Sequence, residues 1–488
     1  MAGSGIVLIT VVAYLIAMIV IGIAARPREA SKKEYYLAGR RLPYWVAAFS
    51  MNATGESAWL LLGLSGLAYA VGVSAIWVVI GETLGIWLSW RLVAKRLNKA
   101  AIETDAVTLP DILAEKLGDP LRLLRTGAVL IILAMVLVYV AAQMLATGKA
   151  FDSFLDWPYA TGVLAGGFVT VLYTSFGGFR GVAYTDMVQA LLMVFAVVAV
   201  PLAGLMALGG LGPAANALSA IDASLLAPVD LSSGTLLIGL IALASALAVG
   251  LPFIGVPQLL VRYMAVSGEE EIRKASGISV SVIFLLGSGA VATGLVGRAL
   301  VPDLSDAETI MPVLSEDLFP PLVTGLLVAA VLSAVMSTVS SLMNLASSAL
   351  VGDLYHQVFR PDADTKTLGR LGIWVTAAVG VAGVLVALNQ NSTIFAFVLF
   401  AWAGLGAAFG PTVLCVLWWG RTTWQGALAG MLSGFGTTVI WITSFKAQFY
   451  DLYEMIPGFI AGLVFTIVVS LLTSRQNTSV HEKGKLSA

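Results

Sequence analysis

The chain has 488 residues, 59% of them hydrophobic and only 11% charged, with a net charge of −1. Soluble domains carry about 25% charged residues, so this composition specifies a polytopic membrane protein and gives nucleic acid nothing to bind. The lone cysteine, Cys415, excludes an internal disulfide framework; two isolated histidines, His356 and His481, with no His/Cys cluster, supply no zinc or haem pattern, and no other cofactor motif is evident.

The first apolar stretch, about Ile6 to Ala25, has no basic leader and is followed by Arg26, Arg28, Lys32 and Lys33. It reads as an uncleaved membrane helix with its N-terminus outside. A span takes about 20 apolar residues, and the chain offers about 13 such stretches. They lie near 5–26, 44–71, 73–95, 123–150, 158–178, 184–209, 233–257, 275–300, 320–350, 370–389, 393–419, 424–445 and 454–473. This topology places every Lys and Arg on the cytoplasmic side except Lys149, Arg298 and Lys446, as the positive-inside rule requires. The acidic loop with Asp303, Asp306, Glu308, Glu316 and Asp317 then faces outward, and the C-terminus is cytoplasmic. Loops are short, which argues against a membrane-anchored enzyme or a sensor kinase. The expected location is a bacterial-type inner membrane, with lipid as the surrounding partner.

Two spans carry helix breakers. The second holds Asn52-Ala53-Thr54-Gly55, followed by Glu56; the seventh holds Gly250-Leu251-Pro252-Phe253-Ile254-Gly255-Val256-Pro257. Proline removes a backbone donor and clashes with the preceding turn, and glycine weakens a helix interior. Each break opens a block of five spans, and an odd block length inverts the second block relative to the first. The chain therefore divides as 1–43 (first helix and loop), 44–209 (first block), 210–232 (outer loop), 233–420 (second block), 421–475 (two further helices) and 476–488 (polar tail). Matched interruptions in two inverted blocks point to a transporter's midplane site. A carboxylate among apolar residues costs roughly 2.5–3.5 kcal/mol on insertion scales, so Glu56 is a functional candidate by default.

Glu82, in Ile80-Gly81-Glu82-Thr83, is a second intramembrane acid, and no Lys or Arg reads at its depth. Two readings stay open: Glu56 and Glu82 share a proton that tunes cation binding, or Glu82 is protonated and bonded to a neighbouring carbonyl. On span nine, Ala334, Ser337, Thr338 and Ser341 recur at three- and four-residue spacing and share one face. Such a stripe either glues helices together or, with carbonyls freed by the break, offers a hard cation about five oxygens. Around the same depth, Ser57, Ala58 and Trp59 follow the first break, Tyr139 and Gln143 lie one turn apart on span four, and Phe253 and Pro257 sit in the second break. Trp and Tyr give an apolar wall with a polar handle, suited to a small zwitterion.

Motifs along nearly the whole chain carry a resemblance. They include Glu34-Tyr35-Tyr36-Leu37-Ala38-Gly39-Arg40, Ser57-Ala58-Trp59-Leu60-Leu61, Thr108-Leu109-Pro110-Asp111, and Gly177-Gly178-Phe179 with Thr185-Asp186 and Gln189. Further on come Arg262-Tyr263-Met264-Ala265, Ala334-Val335-Met336-Ser337-Thr338, Ala401-Trp402-Ala403 and Leu452-Tyr453-Glu454-Met455-Ile456-Pro457-Gly458-Phe459. In order and spacing the chain resembles the sodium:solute symporter family, most nearly its sodium/proline symporters. The resemblance implies an all-α membrane fold of the LeuT type, two inverted five-helix repeats with two broken helices. It implies sodium held by the carbonyls of Ala53, Glu56 and Ala334 and the hydroxyls of Ser337 and Thr338, and proline near Ser57, Trp59 and Tyr139. Asp186 matches the family's Thr-Asp-x-x-Gln pattern and either shapes the inner sodium exit or caps span six. Three departures stand out. Gly55 replaces an Asp, with the acid displaced to Glu56; Ala58 replaces a Gly; and Val249 and Phe253 stand where a Trp and a Tyr are usual.

The expectation is a sodium-coupled symporter of a small solute, L-proline first, with Na⁺ as coupling ion, no cofactor and no enzymatic activity. The alternatives are another small amino or carboxylic acid as substrate, proton coupling through Glu56 or Glu82, or a transceptor that senses its solute.

Overall fold

The computed structural model describes residues 2–25, 32–155, 157–229, 235–388 and 394–485. Among them the backbone is helical almost throughout, the one extended pairing being a bridge between Leu42 and Val266. Hydrocarbon dictates this, because a helix satisfies its backbone donors and acceptors within its own segment. The helices that build the site and its scaffold are α1 (Ala2–Ala24), α2 (Tyr44–Ala58), α3 (Ile76–Leu88), α4 (Leu123–Leu155), α5 (Tyr159–Leu208), α6 (Leu236–Ala248) and α7 (Pro257–Ala265). After them come α8 (Glu269–Leu300), α9 (Pro321–Ser347), α10 (Thr365–Ala387), α11 (Ile394–Trp418), α12 (Trp424–Ile440) and α13 (Met455–Lys485). Among the described residues 11 helical stretches are long and apolar enough to cross a membrane.

Two long stretches double back. Tyr44–Glu103 has 60 residues, about 90 Å if straight, three times a hydrocarbon core of about 30 Å. It turns at Gly72 (φ 71°, ψ −147°). Leu42, just before it, donates to Ala265 O at 3.1 Å, and Asn98, near its end, donates to Val266 O at 2.9 Å, so both ends meet on one side. Only glycine fits the turn, since a Cβ there would sit 2.1 Å from the Leu225 carbonyl oxygen. The 50-residue α5 breaks at Gly178 (φ 56°, ψ −174°). Its start packs on the end of α4 (Tyr159 on Gly148) and its end on the end of α8 (Gly204 on Val296 and Leu300). Lys149 joins those two places, donating to Asp306 Oδ2 at 3.0 Å and Glu308 Oε2 at 2.7 Å.

Burial sorts core from periphery. In the most apolar window of each stretch, 83% of residues are buried around α9, against 28% for α1 and 22% for α12. Without water to drive helices together, close backbone approach does the packing. At α3 against α6, a Cβ on Gly85 would lie 2.0 Å from Gly250 O, and one on Gly250 would lie 1.9 Å from Gly81 O.

The second helix break falls where its prolines and glycines place it. α6 ends at Ala248, Leu251–Ile254 make a tight 3₁₀ turn, and α7 restarts at Pro257, a position where a missing N–H costs nothing. The span expected to end near 257 runs on through Ala265, because this inner half-helix is buried in protein. The first break is displaced. The helix runs unbroken through Asn52–Gly55 and breaks at Ser57 (φ 53°, ψ −171°). Asn52 is no breaker: it is locked to α8 by a reciprocal pair with Ser279, both bonds 2.8 Å. Gly55 serves a close approach, since the Phe253 ring lies 3.1 Å from where a Cβ would stand.

Candidate functional site

A non-glycine residue at positive φ costs on the order of 1–3 kcal/mol, so the surroundings must hold Ser57 in place. They do so through the restart of the helix: Trp59 N–H donates to Ser57 Oγ at 3.2 Å, and Ala58 N–H donates to Gln143 Oε1 at 3.1 Å. In an unbroken helix Ala58 N–H would bond Thr54 O. Diverted to Gln143, it leaves that carbonyl free.

The freed carbonyls meet the hydroxyl stripe of α9. Ser337 Oγ donates to Ala53 O at 2.9 Å and lies 3.2 Å from Ala334 O; Thr338 Oγ1 donates to Thr54 O at 3.0 Å. Five oxygens thus converge between α2 and α9. Neighbouring ligands of a cation with metal–oxygen distances of about 2.3–2.6 Å stand about 3.3–3.7 Å apart, so a few tenths of an ångström of spreading admits an ion. The Glu56 carbonyl accepts from Trp59 N–H, and the carbonyl that receives the Thr338 hydroxyl is that of Thr54. The Glu56 side chain is 1% exposed and neither carboxylate oxygen has a hydrogen-bond donor.

A polar cluster lies on the α7 side of these oxygens. Arg262 on α7 is fully buried and donates from Nη2 to Asp186 Oδ2 (2.9 Å), Thr54 Oγ1 (2.9 Å) and Ser341 Oγ (2.6 Å), and from Nε to Ser50 Oγ (3.2 Å). Its Nη1 bonds Gln258 O, and its guanidinium lies 5.2 Å from the Phe179 ring centre. Ser50 donates to Asp186 at 2.7 Å. Asp186 therefore sits inside α5 as an ion-pair partner and caps nothing. Gln189, one turn on, donates to Tyr14 OH on α1 at 3.0 Å, which accounts for the spacing of the Thr-Asp-x-x-Gln pattern.

On the other side of the break the walls are aromatic. Phe253 packs edge-on against Trp402 (5.1 Å between centres), and Trp402 donates to Val249 O at 3.0 Å. Trp59, Tyr139 and Gln143 are buried nearby, and Tyr139 lies within electrostatic range of Glu56 and Glu82. Glu82 is 4% exposed, and its Oε2 has no donor. Pro257 stands apart from this group; with Phe179, Arg262 and Ser341 it lines a small cavity of about 30 Å³. A wider cavity of about 410 Å³, lined by Trp77, Lys446 and Asp451, reaches in as far as Val249 and Tyr453. The residues between the two cavities are buried, so the centre is closed in this conformation.

A sequence model of the sodium:solute symporter family matches residues 35–434. The chain belongs to that family. It is 39% identical to the high-affinity proline transporter PutP of Bacillus subtilis over 471 residues, 96% of this chain and 98% of that protein. It is 37% identical to the sodium/proline symporter of Escherichia coli over 492 residues, 99% and 96% of the two chains. Its fold matches that of a Na⁺-coupled sialic acid symporter solved in a substrate-bound outward-open state (TM-score 0.80, 18% identity, 96% and 97% covered). It also matches MhsT in complex with L-phenylalanine (TM-score 0.53, 14% identity, 87% and 98% covered).

For this family member, one more motif has a physical meaning. In Thr108-Leu109-Pro110-Asp111, Thr108 Oγ1 accepts from Asp111 N–H at 3.1 Å to start a short helix, while Asp111 and Asp353 receive Arg125 at 2.7 and 3.3 Å. Arg262, Thr54 and Ser50 are the site residues that sequence reasoning passed over. Arg262 carried a signal, lying little more than one turn beyond Pro257, but a cation at a span's edge reads as cytoplasmic.

Proposed function

We propose that this symporter imports a small amino acid, L-proline first, with Na⁺, by alternating access. The observation that carries this is the convergence of Ala53 O, Thr54 O, Ala334 O, Ser337 Oγ and Thr338 Oγ1 where α2 comes undone. An all-oxygen set suits a hard cation. Sodium would bridge α2 and α9 in place of the two hydrogen bonds, with Ser337 and Thr338 turning their protons aside and ligating through their oxygens, and so fix the break beside the solute. Solute would bind among Ser57, Ala58, Trp59, Tyr139, Gln143 and Phe253, near the restart of the broken helix, whose N-terminal end favours a carboxylate. The coupling is reciprocal: each ligand raises the other's affinity by the same factor. The helices of both breaks, with α3 and α8, would rock against the remaining scaffold, and the Arg262–Asp186 cluster lies on the inward path.

The topology we assign is about 13 spans, with the N-terminus outside, the C-terminus cytoplasmic and inverted blocks at 44–209 and 233–420. The doubling back at Gly72 and at Gly178 supports it.

In proteoliposomes, Ser337→Ala with Thr338→Ala should abolish the response of proline uptake to external Na⁺; an undiminished response overturns the ion site. A solute panel in a thermal-shift assay, with and without Na⁺, identifies the substrate. Ligand at about 100 times its Kd stabilises by about 2.7 kcal/mol, and the shift should need sodium. Buried Glu56, with both carboxylate oxygens donor-less, and Glu82, with one, favour a second reading, proton coupling. Sodium-free uptake driven by a pH gradient would establish it, and turnover in liposomes excludes a purely sensory role.

A further inference from the structure

The reading above leaves Glu56 without a partner. Both its carboxylate oxygens are buried and meet no donor. The hydroxyls of the ion site, Ser337 and Thr338, are engaged with Ala53 and Thr54. Arg262, the buried cation of this region, is engaged with Asp186, Thr54 and Ser341. Another acid lies within charge–charge range instead, Glu82 on α3. A buried carboxylate without a donor is costly to keep charged, so it takes either a proton or a positive charge from outside the chain.

A second orphan has the opposite sense. Gln143 spends its Oε1 on Ala58 N–H, and its Nε2 is buried with no acceptor. Glu56 and Ala58 flank Ser57, so the break carries an unmet acceptor on one side and an unmet donor on the other. Near them lie aromatic faces: Phe253 over Gly55, with Trp402 behind it.

We infer that the Glu56 carboxylate receives the positively charged nitrogen of the transported solute, while Gln143 Nε2 donates to the solute's carboxylate. This rests on the symport reading and assigns the two side chains that read the opposite charges of an amino-acid substrate. A second metal ion fits less well. It asks for several converging oxygens, whereas the orphans here are one carboxylate and an amide N–H beside rings. An organic ammonium needs few acceptors and is attracted by aromatic faces. Glu56 is then the residue that decides specificity, at the place where the chain departs from the proline symporters it resembles.

The test compares L-proline with its oxygen isostere, tetrahydrofuran-2-carboxylate, by binding to the purified full-length protein at saturating Na⁺. A site built around a buried charged hydrogen bond rejects the analogue that lacks it. Wild type should prefer proline by at least about a hundredfold, and Glu56→Gln should bring the two within about threefold. Gln143→Leu should weaken both ligands about equally and keep the preference. Equal wild-type affinities overturn the inference without any variant. So does a Glu56→Gln protein that keeps the wild-type preference, or one that loses Na⁺ affinity alone. A chain that binds with Na⁺ only solutes lacking a cationic nitrogen sinks this inference and leaves sodium coupling standing. A chain in which no solute of the panel shows sodium dependence sinks the symport reading itself.

Discussion

Ser57 shows how one residue sets the geometry of the centre. Its positive φ turns the chain so that Ala58 N–H reaches Gln143 and Thr54 O is left for Thr338. Ser57→Gly relaxes that conformation, whereas a β-branched side chain resists it. Ser57→Val should therefore lower stability by about 1–3 kcal/mol relative to Ser57→Gly in denaturant or thermal unfolding. The Arg262–Asp186 pair is the second such case. Both are almost wholly buried, and the hydroxyls of Ser50, Thr54 and Ser341 surround the pair, while Asp186 Oδ1 meets no donor. Removing one partner strands the other: Arg262→Met or Asp186→Leu alone should cost about 3–5 kcal/mol, and the double variant should recover much of it. A double-mutant cycle on the melting midpoint measures the coupling.

At the scale of elements, the broken helices are held by contacts that tolerate no added bulk. α3 and α6 touch backbone to backbone through Gly81, Gly85 and Gly250. A methyl at Gly250 would meet the Gly81 carbonyl at 1.9 Å, and neither is the end of a flexible side chain. Gly250→Ala should push α6 off α3 and abolish transport, seen as loss of a monodisperse peak on size exclusion or of proline uptake. Gly436 has open space around it, so Gly436→Ala should change neither. This also explains why two helix breakers were misplaced in the reading of the sequence. Asn52 and Gly55 look like signals for local unwinding, yet one reaches across to Ser279 and the other admits Phe253. Both functions belong to partners more than 190 positions away, which local propensity cannot register.

For the whole molecule, the centre is closed towards both cavities. On the outer side by the assigned topology, Lys149 ties α4 to the 306–308 turn, and Glu308 Oε2 also accepts from Ile394 N–H at 3.2 Å. Carrying a neutral zwitterion with a cation moves net positive charge inward. A potential of 100 mV, inside negative, is worth about 2.3 kcal/mol per charge, about fiftyfold in accumulation. Proline accumulation under a valinomycin-imposed potassium diffusion potential should approach that factor at equal Na⁺ on both sides; no response means no net charge moves with the solute.

Composition, prolines and helical spacing were enough to read the class of molecule, its all-helical fold, the second break and the hydroxyl stripe of α9. Hydropathy, proline stereochemistry and helical periodicity are local, and twenty residues of text are enough to read them. The packed molecule alone places the first break at Ser57, brings the Thr54 carbonyl to the Thr338 hydroxyl and buries Arg262 against Asp186. Those outcomes depend on which helix faces which. In hydrocarbon, a buried polar group takes its position from the partner that satisfies it, and that partner comes from another part of the chain.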